Sequence, residues 1–293
     1  MSTDRRTLLK GLCAAATCTV AGVSAVEARE KKVAPADAVG LLYDATKCIG
    51  CKACVAKCKE VNKLQADVDG YGDGLYDAPE GLNEYTKNVI QLAKYNGETS
   101  YVKKQCMHCV DPACTSACMM GALHKGKFGI VEWEANKCIG CRYCQVACPF
   151  GVPKFQWSKL SPRLVKCELC KDRLAEGKLP GCVEACPRQA VIYGKREELL
   201  QEAHRRIATK PDLYVNKVYG EKELGGTQVL YISHVPFENL GFRFQQEEAV
   251  PNLQQTVQHG IYKGFAAPLA LYGILGAVMF RNRKKGDAND DVR

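Results

Sequence analysis

The chain has 293 residues, 41 Lys and Arg against 32 Asp and Glu for a formal charge of +9, and 46% hydrophobic content. That balance excludes wholesale disorder, and the length excludes a small disulfide scaffold even though 18 residues are cysteine. No run of Lys and Arg carries interleaved aromatics, so the positive charge does not read as a nucleic-acid surface.

At the N-terminus, Arg5 and Arg6 precede Thr7-Leu8-Leu9-Lys10 and a mildly apolar stretch from Gly11 to Val26. Paired arginines before a short, weak apolar segment form the twin-arginine export pattern, and Val26-Glu27-Ala28 has the small-x-small form of a cleavage site. Residues 1–28 are therefore expected to be a signal peptide; cleavage after Ala25 and an uncleaved anchor are the other readings. Cys13 and Cys18 lie in this stretch and are not counted as ligands.

The other sixteen cysteines fall between Cys48 and Cys186, in four groups. Leu41-Leu42-Tyr43-Asp44 reads as a strand and leads into the first, Cys48, Cys51, Cys54 and Cys58. Residues 66–81 are rich in Gly and Asp and read as a loop. It matches part of a calcium-hand pattern at Asp69, Asp73, Gly74 and Glu80 but fails it at Tyr71. The second group is Cys106, Cys109, Cys114 and Cys118. A second short strand, Ile130-Val131-Glu132-Trp133, leads into the third, Cys138, Cys141, Cys144 and Cys148. The fourth is Cys167, Cys170, Cys182 and Cys186.

The third group reads CIGCRYCQVACP, the C-x2-C-x2-C-x3-C-P run of bacterial ferredoxins. Three thiolates two residues apart wrap one cubane cluster, and the fourth, one helical turn on, points away to a neighbour. The first group keeps this spacing with Lys59 in place of Pro. The second widens one gap to four residues and has Met119 at that position, while the fourth widens a gap to eleven and ends in Cys186-Pro187. Tetrahedral zinc has no use for such spacing, and cysteines two apart seldom reach disulfide geometry. Four [4Fe–4S] clusters are the expectation. Each site then carries about −2, so the four offset most of the chain's basic excess. His108, inside CMHC, is expected to tune its cluster by hydrogen bonding rather than to bind metal.

An internal repeat sets the pairing. Lys47-Cys48-Ile49-Gly50-Cys51 recurs as Lys137-Cys138-Ile139-Gly140-Cys141, whereas the second and fourth groups share a Cys-x-x-x-Cys followed by Ala and an aliphatic residue. Groups two and three are consecutive halves of one two-cluster unit. Groups one and four are the same halves in swapped order with that unit inserted between them. If each half lends its last Cys to its partner, four ligand sets result. They are Cys48, Cys51, Cys54 and Cys186; Cys167, Cys170, Cys182 and Cys58; Cys106, Cys109, Cys114 and Cys148; and Cys138, Cys141, Cys144 and Cys118. The rival arrangement pairs group one with two and three with four.

Beyond the last Cys, Lys195 to Lys210 carries Leu199, Ala203 and Ile207 at helical spacing and reads as an amphipathic helix. Gly225-Gly226 precede a strand at Val229 to Ile232. Pro236 to Gln258 has no clear period and is expected to run across the surface. Gly264 to Phe280 is seventeen residues without a charge, and Ile261 to Phe280 makes a helix of about 30 Å, enough to span a bilayer. Arg281, Arg283, Lys284 and Lys285 follow, which puts the C-terminus in the cytoplasm and the body in the periplasm. His259, just outside that span, reads as an interfacial residue. No haem-c motif, P-loop or strand-linked Gly-rich dinucleotide motif is present.

The expected fold class is α+β, with two ferredoxin-like two-cluster units, one inserted in the other, and a C-terminal transmembrane helix. The expected divisions are a signal peptide at 1–28, a double ferredoxin-like domain at 39–194 with the inserted unit at 105–150, an extension at 195–258, the span at 261–280 and a tail at 281–293. QCMHCVDPAC, CIGCRYCQVACPFGVPKF, KCELC and PGCVEACP resemble the four-cluster electron-transfer subunits of membrane-bound respiratory oxidoreductases, from about Val39 to Phe280. Within that family, Tyr85-Thr86, Asn88-Val89-Ile90-Gln91 and Gly225-Gly226-Thr227-Gln228-Val229-Leu230 look most like the iron–sulfur subunit of uptake nickel–iron hydrogenases of the hydrogenase 2 type. The eleven-residue gap between Cys170 and Cys182 looks as much like formate dehydrogenase β subunits. The resemblance implies a subunit with no catalytic site of its own. Its partners would be the hydrogenase small and large subunits, or a formate dehydrogenase catalytic subunit; it would take electrons from the small subunit and pass them to an integral membrane quinone-reducing subunit. The contrasting class is a structural metal or disulfide scaffold at the membrane.

Overall fold

A computed structural model describes residues 31–65, 79–157, 159–160, 162–251 and 271–281. The signal peptide expected at 1–28, the loop residues Asp69, Asp73 and Gly74, His259 and the first half of the expected membrane span lie outside the described residues. In chain order the elements are β1 (Val39–Asp44), α1 (Ala53–Val61), β2 (Asn88–Tyr95), β3 (Glu98–Gln105), α2 (Ala113–Ser116), β4 (Leu123–Lys125), β5 (Val131–Trp133), α3 (Tyr143–Ala147), β6 (Lys154–Phe155), β7 (Leu164–Val165), α4 (Lys171–Ala175), α5 (Gly181–Glu184), β8 (Val191–Lys195), α6 (Arg196–Thr209) and β9 (Val229–Ile232). Helix and strand are mixed, and most elements are short because cysteine loops interrupt them.

Every residue of β1 is buried, as an unbroken apolar run requires of a strand covered on both faces. It is the middle of a three-stranded sheet, antiparallel to β8 and parallel to β9, with Leu42 opposite Ile192 and Leu230. The period of two divides its side chains. Leu41 and Tyr43 join Val191, Val229 and Tyr231 in the larger core on one face. Leu42 joins Leu230 and Ile232 on the other, against Leu199, Leu200, Ala203 and Ile207 of α6. Glu197 and Glu198 in the first turn of α6 and Arg206 in its last complement the helix dipole.

Asp44 ends β1 with no exposure. Its Oδ1 accepts from the Thr46 amide at 3.1 Å and the Thr46 hydroxyl at 2.6 Å, and its Oδ2 from Tyr214 Oη at 2.9 Å and Arg206 Nη1 at 3.0 Å. This closed knot ties the C-terminal end of α6 to the strand that enters the first cysteine group.

β2 and β3 form a hairpin over eight facing pairs, turning at Asn96 (φ +48°) and Gly97 (φ +82°). Two left-handed residues in succession make the tight turn whose twist matches the strands, and an Asn-Gly pair is the local sequence signal for it. β4 pairs with β5, and β6 with β7. Around them Leu123, Val131, Phe155 and Leu164 bury Cys114 and Cys144 in a smaller core. β1 and β8 close around this middle segment, and α1 packs on α5.

The expectation that Pro236 to Gln258 runs across the surface fails over its first part. Phe237, Leu240 and Phe242 are buried in the main core, with the Phe242 ring 4.5 Å from Tyr219 and 4.9 Å from Tyr231 between centroids. A turn closed by the Phe242 amide on the Phe237 carbonyl at 3.0 Å brings both rings inward, a spacing with no helical or strand period to read. Residues 271–281 are helical with exposed side chains. They rise about 16 Å, half a bilayer core, and among the described residues no helix is long and apolar enough to cross a membrane.

Candidate metal centres

In all four cysteine groups the second residue after the first Cys is left-handed: Gly50 (φ +71°), His108 (+46°), Gly140 (+71°) and Leu169 (+54°). The sequence repeat between the first and third groups is matched further on, where Lys52 and Arg142, left-handed at +55° and +65°, open α1 and α3. A left-handed residue next to right-handed ones turns consecutive N–H groups to one side, a concavity suited to an anion. Gly50 is also sterically required, since a Cβ there would stand 2.3 Å from Tyr101 Cε1. In the second and fourth groups no glycine marks the position, so the common loop shape was not legible.

Three groups end alike. The carbonyls of Cys118, Cys148 and Cys186 accept from the amides of Gly121, Gly151 and Gln189 at 3.1, 3.1 and 3.2 Å, with these residues at φ +62°, +60° and +50°. The first group differs: the Cys58 carbonyl accepts from the Asn62 amide at 3.2 Å, and α1 continues to Val61. Some donors reach sulfur directly: Leu169 N lies 3.4 Å from Cys167 Sγ, and Ala190 N 3.2 Å from Cys186 Sγ.

Cys48, Cys51, Cys54 and Cys186 line one cavity, with Tyr43, Ile90 and Val191. Cys118, Cys138, Cys141 and Cys144 line another, with Leu123, Trp133 and Phe155. For the other two sets the thiols' mutual electrostatics gives the neighbourhood. Burial first, then the charge of Cys167 and, more weakly, Cys170 beside it, pushes the Cys58 thiol up to about 12. Burial, then Cys148, Cys106 and Cys114, pushes up Cys109. Burial, then Cys118, Cys138 and Cys141, takes Cys144 to about 12. Metal-free, these thiols hold their protons at neutral pH, so loading them with metal must release protons.

The donor set fits iron–sulfur cubanes. All sixteen described cysteines are free thiols. Among the described residues, no three Cys, His, Asp or Glu converge on a position for one ion. In a cubane each thiolate binds a different iron, so its four sulfurs do not share one ion. His108 is fully buried and its Nδ1 accepts from the Val131 amide at 3.1 Å. Burial, then Lys166 and Lys125, holds its pKa well below the ordinary range, so the ring is neutral with its proton on Nε2. That donor has no partner among the described residues. Cys51 and Cys141 are exposed, beside the exposed Ile49 and Ile139, so the first and third groups each bring one sulfur to the surface.

Residues 97–196 match the family model of a 4Fe-4S dicluster domain. The chain is 40% identical over 328 aligned positions to the hydrogenase-2 operon protein HybA of Escherichia coli O157:H7, covering 98% of this chain and 99% of that protein. It is 36% identical over 244 positions to the iron–sulfur subunit of nitrate-inducible formate dehydrogenase of Escherichia coli K12, 81% of each chain. To the formate dehydrogenase iron–sulfur subunit of Haemophilus influenzae it is 37% identical over 217 positions, 72% of this chain and 68% of that one.

Proposed function

Because this chain belongs to the iron–sulfur family of hydrogenase-2 HybA and the formate dehydrogenase iron–sulfur subunits, we propose that it carries electrons through four [4Fe–4S] clusters from a periplasmic nickel–iron hydrogenase to a quinone-reducing membrane subunit. It is an electron-transfer subunit, as its relatives are, and catalysis belongs to the partner. Each cluster, when bound, takes up and gives back one electron. The protein's work is to hold the sulfurs, aim backbone N–H groups at them and exclude water.

The single observation that carries the reading is that Cys186 lines the same cavity as Cys48, Cys51 and Cys54, which supports exchange of the last Cys between groups one and four. The four ligand sets are then Cys48, Cys51, Cys54, Cys186; Cys167, Cys170, Cys182, Cys58; Cys106, Cys109, Cys114, Cys148; and Cys138, Cys141, Cys144, Cys118. The closing of β1 on β8 and of α1 on α5 around the middle segment supports a unit at 105–150 inserted in a domain at 39–194. Anaerobically purified chain should contain about sixteen irons. Cys186→Ala should perturb the cluster of Cys48, Cys51 and Cys54 in its paramagnetic spectrum. A change confined to the cluster of Cys138, Cys141 and Cys144 would refute the pairing.

Formate dehydrogenase is the second reading for the partner, favoured by the eleven-residue gap before Cys182 and the identity to those subunits. Reduction of the co-purified complex by hydrogen but not by formate separates the two. The proposed location is the periplasmic face of the inner membrane, with Ile261–Phe280 crossing it and 281–293 in the cytoplasm. Its support is the twin-arginine pattern at Arg5-Arg6 and the basic residues after Phe280. Changing Arg5 and Arg6 to Lys should retain metallated protein in the cytoplasm.

A further inference from the structure

Lys103 lies in β3 opposite Ile90 of β2, and Ile90 lines the cavity of Cys48, Cys51, Cys54 and Cys186. Its side chain is long and cationic, yet the residue is 1% exposed. Nζ donates to Gln105 Oε1, and the backbone carbonyl of Lys103 accepts from the Tyr231 hydroxyl at 2.8 Å. Among the described residues no carboxylate pairs with it. A buried ammonium with only an amide oxygen for company is costly, and it persists where negative charge lies close by.

The charge to balance it is that of cysteines, neutral as free thiols and negative as metal-bound thiolates. Burial works against the ammonium, but the thiolates of Cys182, Cys54, Cys167 and Cys58 outweigh it and hold its pKa above the ordinary lysine value. The same charge pulls down the thiols of Cys54, Cys58 and Cys182 against the larger effect of burial. These cysteines belong to two ligand sets. The division falls within α1, where Cys54 and Cys58 are one turn apart on the buried side and serve different sets. In the middle segment Lys166 stands near Cys106 and Cys114 instead, donating to the carbonyls of Val131 and Cys167.

We propose that Lys103 is the shared counter-charge of two clusters, those of Cys48, Cys51, Cys54, Cys186 and of Cys167, Cys170, Cys182, Cys58, and that it raises the reduction potential of both. Each reduction adds one negative charge, and a fixed positive charge in a low-dielectric interior favours the state with more of it. Gln105 is the positioning residue, because its Oε1 accepts from Nζ and fixes the ammonium inside the core. The inference rests on the four-cluster reading and on the exchanged pairing.

The test is a redox titration of the anaerobically purified full-length chain, followed by paramagnetic resonance, for wild type, K103M and K103R. Iron and sulfide content of the wild type tests the cluster reading separately, since four clusters on unaltered protein do not depend on Lys103. K103M should lower the midpoint potentials of two clusters and leave the other two in place, and K103R should restore them. Unchanged potentials in K103M, or an equal shift of all four, would overturn the proposal. If K103M loses iron, K103Q takes its place with the same expected shift. Iron loss in both neutral variants with retention in K103R would support a required positive charge, whereas loss in K103R as well would overturn it.

Discussion

Removing the Asp44 carboxylate tests whether the knot at the end of β1 stabilises the approach to the first cysteine group. In Asp44→Ala, Arg206 Nη1, the Tyr214 hydroxyl and the Thr46 amide and hydroxyl lose their shared acceptor, and Arg206 keeps only Glu202, 2.8 Å from its Nε. Arg206 has a side chain only 13% exposed, so its guanidinium is left largely buried and half-paired. Breaking one side of a buried pair costs about 3–5 kcal/mol. For a body of this size each kcal/mol lowers the melting temperature by about 2–4 °C, so the fall should be about 6–20 °C. Asp44→Asn keeps the shape and some hydrogen bonds and should cost about half as much, and adding Arg206→Met to it should recover part of the loss. The assay is an anaerobic thermal scan at fixed rate, read by calorimetry and by loss of visible absorbance. Because Asp44 lies just before Cys48, the signal of the Cys48 set should bleach before the others. A fall below about 1 kcal/mol for Asp44→Ala would refute the reasoning, since it would mean that water or rearrangement replaces the carboxylate at no cost.

Gly50→Ala should destabilise the fold by about 2 kcal/mol or more, from left-handed strain plus the clash with the Tyr101 ring. Gly151→Ala, at φ +60° with open space around it, should cost about 1 kcal/mol, and the same thermal scan compares the two. Hydrogen bonds from Arg205, then Arg206, hold the Glu202 carboxyl down at about 2. A depressed carboxylate contributes stability above its unfolded pKa and loses it as pH falls from about 4.5 towards 2. Discounted for solvent screening, Glu202→Gln should cost about 1 kcal/mol at pH 7, and its difference from wild type should shrink as pH drops below about 4.5. Truncation after Gln258 should abolish quinone-linked electron flow in membranes while leaving reduction of an artificial dye intact; an undiminished quinone rate would sink the proposed membrane docking.

The cysteine constellation was legible because metal ligation of this kind is a local code: three sulfurs two residues apart act through one loop, and the repeat of Lys-Cys-Ile-Gly-Cys needs no knowledge of packing. Helix α6 and strand β9 were legible for a similar reason, since Leu199, Ala203 and Ile207 recur with the helix period and Val229–Ile232 is a short apolar run after two glycines. The Asn96-Gly97 turn carried an equally local signal. The left-handed backbone at His108 and Leu169 carried none, because side chains that disfavour it are held there by the surrounding loop. Phe237 and Phe242 enter the core without any period, through a turn that only packing against Tyr219 and Tyr231 selects. The same holds for the charges. Lys103 and Asp44 look like ordinary strand-end residues in the sequence, and burial makes one a counter-charge to sulfur and the other the acceptor of a closed knot. Burial is a property of everything that surrounds a residue, drawn from distant parts of the chain. Ligand spacing belongs to a few consecutive residues and can be read without the fold.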